Sequence, residues 1–103
     1  MRKFETMLLL SPELSADMRE GVLGTLTAII EREGGKIVVA DHWGMKDLAY
    51  PIKKMTRGYY VRLEYVAPGK LVAELERNIR ITEGILRFVT VKLEDEVVEE
   101  ANV

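Results

Sequence analysis

The chain has 103 residues, 48% hydrophobic and 31% charged, with no cysteine, which is one domain with a single core and excludes disulfides and thiolate metal sites. Its formal charge is −2 from 15 basic and 17 acidic side chains, yet five of the acids (Glu94, Asp95, Glu96, Glu99 and Glu100) fall in the last ten residues, leaving residues 1–93 with 15 basic against 12 acidic, net +3. No apolar run approaches the roughly 20 residues of a membrane span, and Met7-Leu8-Leu9-Leu10 is too short for a signal-peptide core.

Residues 2–10 end in an apolar run and predict a first strand, broken by Ser11-Pro12. From Ser15 to Glu33 the apolar residues Met18, Val22, Leu26, Ile29 and Ile30 recur every three or four positions, the mark of an amphipathic helix. Ser15 suits its N-cap, Asp17 its first turn, and Gly34-Gly35 its C-terminal stop. Lys36 to Ala40, rich in β-branched residues, predicts a second strand continuing toward Trp43, and Tyr59 to Ala67 alternates as a third. Pro68-Gly69 is expected to open a second helix with proline in its first turn and Leu71, Val72, Leu75 and Ile79 as its apolar stripe. Residues 85–93 complete the set as a fourth strand.

The order β-α-β-β-α-β predicts an α+β, ferredoxin-like split βαβ: a four-stranded antiparallel sheet with both helices on one face. Right-handed crossovers place the first and third strands in its centre and leave the second at an edge. Residues 1–93 form the single domain, and residues 94–103 are expected to be a solvated, mobile acidic tail. Alternation directs Leu8, Leu10, Val61, Leu63, Tyr65, Phe88 and Thr90 toward the helices. The opposite face then carries Met7, Leu9, Tyr60, Val66, Val89 and Val91 among charges, more apolar than bare solvent favours, which points to a partner.

Catalytic chemistry is sparse. His42 is the only histidine and reads as a surface residue, with no cysteine to join it in a metal site or dyad. The pairs Glu31/Glu33 and Glu74/Glu76 diverge at i,i+2 on helices, and Gly34-Gly35 precedes a strand, so it is no phosphate loop. No enzyme, metal, cofactor or small-molecule substrate is expected, and the absence of cysteine fits the cytoplasm.

The stretch from Trp43 to Lys54, closed by Arg57-Gly58-Tyr59-Tyr60, is aromatic and basic and reads either as a gripping surface or as a long hairpin whose aromatics cover the sheet. Arg57 to Leu63 partly matches the octamer of RNA-recognition motifs, but one position is missing between Tyr59 and Tyr60, which puts these rings on opposite faces. A stacking platform needs two or three outward aromatics together, and only Tyr60 qualifies.

The whole chain, by contrast, resembles the bacterial small-subunit ribosomal protein six family. The matching residues are Arg2-Lys3-Phe4-Glu5, Ser11-Pro12, Gly34-Gly35, Trp43-Gly44, Leu48-Ala49-Tyr50-Pro51-Ile52-Lys53-Lys54, Gly58-Tyr59-Tyr60, Arg80 and Leu86-Arg87, spanning about residues 1–93. The family often carries two basic residues where this chain has Lys46-Asp47, and the tail beyond Leu93 inherits no role. The resemblance implies a ferredoxin-like fold, no catalysis, and binding to the central domain of 16S rRNA alongside ribosomal protein eighteen of the small subunit. On this footing Arg2, Lys3, Arg80, Arg87 and Lys92 are expected to share a patch and supply most of the RNA contact. Trp43, Leu48, Tyr50, Pro51 and Tyr60 are expected to form, or lie beside, the surface for the partner protein, with Pro51 marking where regular strand pairing stops. The alternatives are that Trp43 and Tyr50 are buried beneath the hairpin, and that the chain is a ferredoxin-like regulatory or ligand-binding domain self-associating through its sheet.

Overall fold

The computed structural model describes residues 1–94. Along them run β1 (Arg2–Leu10), α1 (Ala16–Arg32), β2 (Lys36–Ile52), β3 (Met55–Ala67), α2 (Leu71–Ile81) and β4 (Ile85–Glu94). The strands form one antiparallel sheet in the order β2-β3-β1-β4, and both helices cover one face, the predicted ferredoxin-like arrangement. The expected acidic tail lies outside the described residues from Asp95 onward.

Local signals account for most boundaries. The Ser15 side chain accepts the Met18 amide at 3.2 Å and caps α1, and Gly34 at φ 93° takes the left-handed conformation that ends it. Two expectations for the helices need correction. Met18 is 55% exposed, so the buried stripe of α1 starts later, at Leu26, Ile29 and Ile30, with Val22 partly buried. Met18 instead faces the loop around Gly84, lining a shallow depression with Leu14, while Arg19 of the same turn lies over Tyr59 of β3. Pro68 also precedes α2 instead of joining it: the Leu71 amide donates to the Pro68 carbonyl at 3.0 Å and the Val72 amide to that of Gly69 at 3.4 Å, a tight turn that feeds the helix.

The core lies between the sheet and the helices. Phe4, Leu8 and Leu10 of β1 and Val61, Leu63 and Tyr65 of β3 meet Leu26, Ile29, Ile30, Leu71, Leu75 and Ile79 from the helices. Thr6, fully buried among them, hydrogen-bonds the Tyr65 hydroxyl at 2.9 Å and Thr90 at 3.0 Å, and no buried side-chain polar atom among the described residues lacks a partner. Tyr65→Phe leaves Thr6 paired with Thr90, so it is expected to cost only about 1 kcal/mol. A urea titration checks this: the midpoint should fall with the slope unchanged.

The β2–β3 hairpin is longer than the sequence predicts. Both strands run past the end of β1, whose Leu10 pairs with Tyr59, and turn at Lys53-Lys54. Those two lysines have φ 50° and 70°, the positive angles that a two-residue hairpin turn demands. Regular pairing stops after Asp47↔Arg57 and resumes at Ile52↔Met55, so the irregularity spans Leu48 to Pro51 and Pro51 lies at its end, not at its start. Further register shifts leave Val38 and Trp43 as bulged, exposed residues, with Gly44 at φ 90° beside the second. An edge strand interrupted three times is a poor template for adding another strand.

Candidate RNA and protein interface

The face of the sheet away from the helices carries two distinct neighbourhoods. At the end where β1 begins, Arg62 sits 2.8 Å from Glu5, 2.9 Å from Glu64 and 3.8 Å from Asp41, while Lys3 lies 2.9 Å from Glu64 and 3.7 Å from Glu94. The hydrogen bonds and charges of Lys3 and Arg62 hold the Glu64 carboxyl below its ordinary value of 4.5, and Glu64 in turn holds Lys3 above its own. A depressed carboxylate contributes stability that is complete above its unfolded value and is lost as pH falls through the folded one. Unfolding followed from pH 7 downward should therefore show a contribution from Glu64 that begins to fade near 4.5 and is gone only at lower pH, and Glu64→Gln should flatten that part of the curve.

At the opposite end the face is aromatic and cationic. Arg87, level with Leu9 on β1, donates to the Tyr50 hydroxyl at 2.9 Å, and its guanidinium stands 6.0 Å from the centre of the Tyr50 ring. That bond, with the nearby Tyr60, holds the arginine above its ordinary value and so firmly charged. Leu9 is only 3% exposed even though it points away from the helices, and a Cβ on Gly58 would overlap its Cδ1. The hairpin thus packs down on Leu9 where a side chain at position 58 would hold it off.

The nominated RNA residues do not make one patch. Arg2 and Lys3 open β1, and Lys92 pairs opposite Phe4 at the same end. Arg87 pairs with Leu9, seven residues beyond Arg2 and five beyond Phe4, which is about 23 Å and about 16 Å at roughly 3.3 Å per residue. Arg80 belongs with Arg87: it lies 5.5 Å from the Phe88 ring centre and flanks the β4 edge from the helix side. Lys3 has its charge taken up by Glu64 and Glu94. Sequence reasoning missed Lys53, which lines the same depression as Arg80 and Arg87, although its place in a basic hairpin was visible.

The nominated partner residues fare differently. Trp43 is 48% and Tyr50 57% exposed, so neither is buried beneath the hairpin. The Trp43 indole N–H donates to Asp41 at 3.2 Å, which holds the ring on the open side of the sheet. Tyr60 and Leu48 are half-buried and Pro51 is exposed. Tyr59 packs against the helix-side core with Arg19 4.0 Å over its ring, so Tyr59 and Tyr60 do fall on opposite faces. His42 is an exposed residue hydrogen-bonded to the Tyr59 hydroxyl at 3.1 Å. Two groups nominated separately meet at the Arg87–Tyr50 bond.

Among the described residues no helix is long and apolar enough to cross a membrane, and no cluster of three or more potential ligands could hold a metal ion. Comparison with known proteins gives a consistent result. The family model described as Ribosomal protein S6 matches residues 3–92. Small ribosomal subunit protein bS6 of Nitratidesulfovibrio vulgaris (strain DSM 19637 / Miyazaki F) is 72% identical over 101 residues, covering 98% of this chain and 100% of the relative. The protein of the same name from Lawsonia intracellularis is 59% identical, covering 96% and 93%. The crystal structure of 30S ribosomal protein S6 from Thermotoga maritima superposes with a TM-score of 0.84 at 33% identity, covering 88% of this chain and 86% of that one.

Proposed function

We propose that this chain, which belongs to the ribosomal protein S6 family, binds the central domain of 16S rRNA together with ribosomal protein eighteen. It is a structural constituent of the small ribosomal subunit in the cytoplasm, and RNA binding and a part in translation follow from the family. The observation that carries the finer reading is the Arg87–Tyr50 bond, which joins a cationic edge to an exposed aromatic surface. Arg80, Arg87 and Lys53 supply the cationic contacts to RNA there, with Arg2 and Lys92 as a second, separate contact at the far end of the sheet. Trp43, Tyr50 and Tyr60, with Leu48 and Pro51, receive the partner protein, since interface centres are enriched in tryptophan and tyrosine.

The rival reading, self-association through the open sheet face, meets the Lys3, Glu5, Arg62 and Glu64 network. Covering those ions would remove them from water without a new partner for each. Sedimentation of a cell lysate separates the readings. The protein should travel with the small subunit at low and physiological salt, and a protein found only in the soluble fraction under both conditions would contradict the ribosomal role.

A further inference from the structure

A cavity of about 260 Å³ opens at the β4 edge, where the start of β4, the end of α2 and the hairpin tip converge. Lys53, Arg80 and Arg87 reach it from those three elements, over apolar walls that include Leu86 and Phe88. Among the described residues no carboxylate lines it, and the acid that approaches Arg80 is Glu76, at 3.6 Å along α2. A phosphate alone would use the cations and leave the apolar walls idle. A nucleotide uses both.

Arg80 supplies the stacking surface. Its guanidinium lies over the Phe88 ring, yet 63% of the side chain is exposed, so it is backed by the ring and still accessible to a ligand. Unstacked RNA bases are bound on such guanidinium planes and on aromatic rings. Arg87 is fixed by the Tyr50 hydroxyl. Lys53 is held with Lys54 at positive φ in a turn that Asn-Gly would fill with less strain, and retained strain of this kind clusters at ligand clamps. The volume falls below the roughly 300–1,000 Å³ of drug-sized sites, which suits one base with its phosphate.

We infer that this cavity takes a single unpaired nucleotide of RNA, its base against the Arg80–Phe88 pair and its phosphate between Arg87 and Lys53. The inference rests on the rRNA-binding reading above and adds that the contact is to a bulged or single-stranded nucleotide.

The test measures binding of the full chain to an RNA hairpin with one bulged nucleotide and to the same hairpin fully paired. The chain should prefer the bulged form by about five- to a hundredfold, the range that stacking one base commands. Arg80→Lys keeps the charge and loses the plane, so it should bring the ratio of bulged to paired affinity to about one, and a ratio that stays at the wild-type value would overturn the inference. Phe88→Leu should do the same, but Phe88 packs against the core, so the exposed Arg80 carries the result. In a parallel amide-shift titration, adenosine monophosphate should move Leu86 and Phe88, whereas inorganic phosphate should not. Equal binding of both hairpins, with RNA binding intact, overturns the inference and spares the rRNA-binding reading. Binding of neither overturns both. An acidic peptide that binds the cavity more tightly than the monophosphate overturns the inference in favour of a protein ligand.

Discussion

The double variant Arg80→Ala/Arg87→Ala is expected to lose most of its affinity for central-domain rRNA, by one to two orders of magnitude at low salt. Each cation lost from the RNA surface should also flatten the dependence of log affinity on log salt, by up to about 0.7–0.9, so the slope should fall by somewhat under two. Both side chains are exposed, so the urea midpoint should barely move. Lys3→Ala is the informative control. Its ammonium is held by Glu64 at 2.9 Å, so removing it should cost little RNA affinity and leave the salt slope unchanged. Equal losses from Lys3→Ala and the double variant would show that the cationic edge around β4 is not the main contact.

Trp43→Ala and Tyr50→Ala are each expected to weaken binding of ribosomal protein eighteen by about 2 kcal/mol, the threshold of an interface hot spot. Their exposures of 48% and 57% mean that the isolated chain should remain folded. Tyr50→Phe separates two roles of one side chain: it keeps the ring for the partner and removes the hydroxyl that holds Arg87. It should leave partner binding nearly intact and weaken RNA binding modestly. Unfolding of Tyr50→Ala would instead make the ring part of the hairpin's own support.

The elements most legible in the sequence are those set by local chemistry. Ser15 caps α1, Gly34 ends it, and alternation in β3 sends Val61, Leu63 and Tyr65 into the core while Tyr60 and Arg62 face away. The hairpin resisted such a reading because its length depends on two lysines at positive φ, a geometry that neither residue signals by preference. Leu9 was legible as to its face but not its burial, since what covers it arrives from the far side of the sheet. Met18 keeps the helical spacing of its stripe, but periodicity does not say that this part of the stripe faces the loop at Gly84 and not the sheet. For the site, residue types were legible and their grouping was not. Arg2 and Arg87 sit on neighbouring strands, yet antiparallel register places them at opposite ends, and the same register with a curling hairpin brings Tyr50 to Arg87.

Titrating purified chain into a central-domain 16S rRNA transcript, with and without ribosomal protein eighteen, tests the central claim most directly. A joint RNA and protein surface meeting at Arg87 and Tyr50 predicts a ternary complex in which each ligand tightens binding of the other by the same factor. Replacing Arg87 should weaken the RNA side and replacing Trp43 the protein side. A chain that binds neither ligand, or that binds RNA with an affinity unaffected by the partner, would contradict that claim.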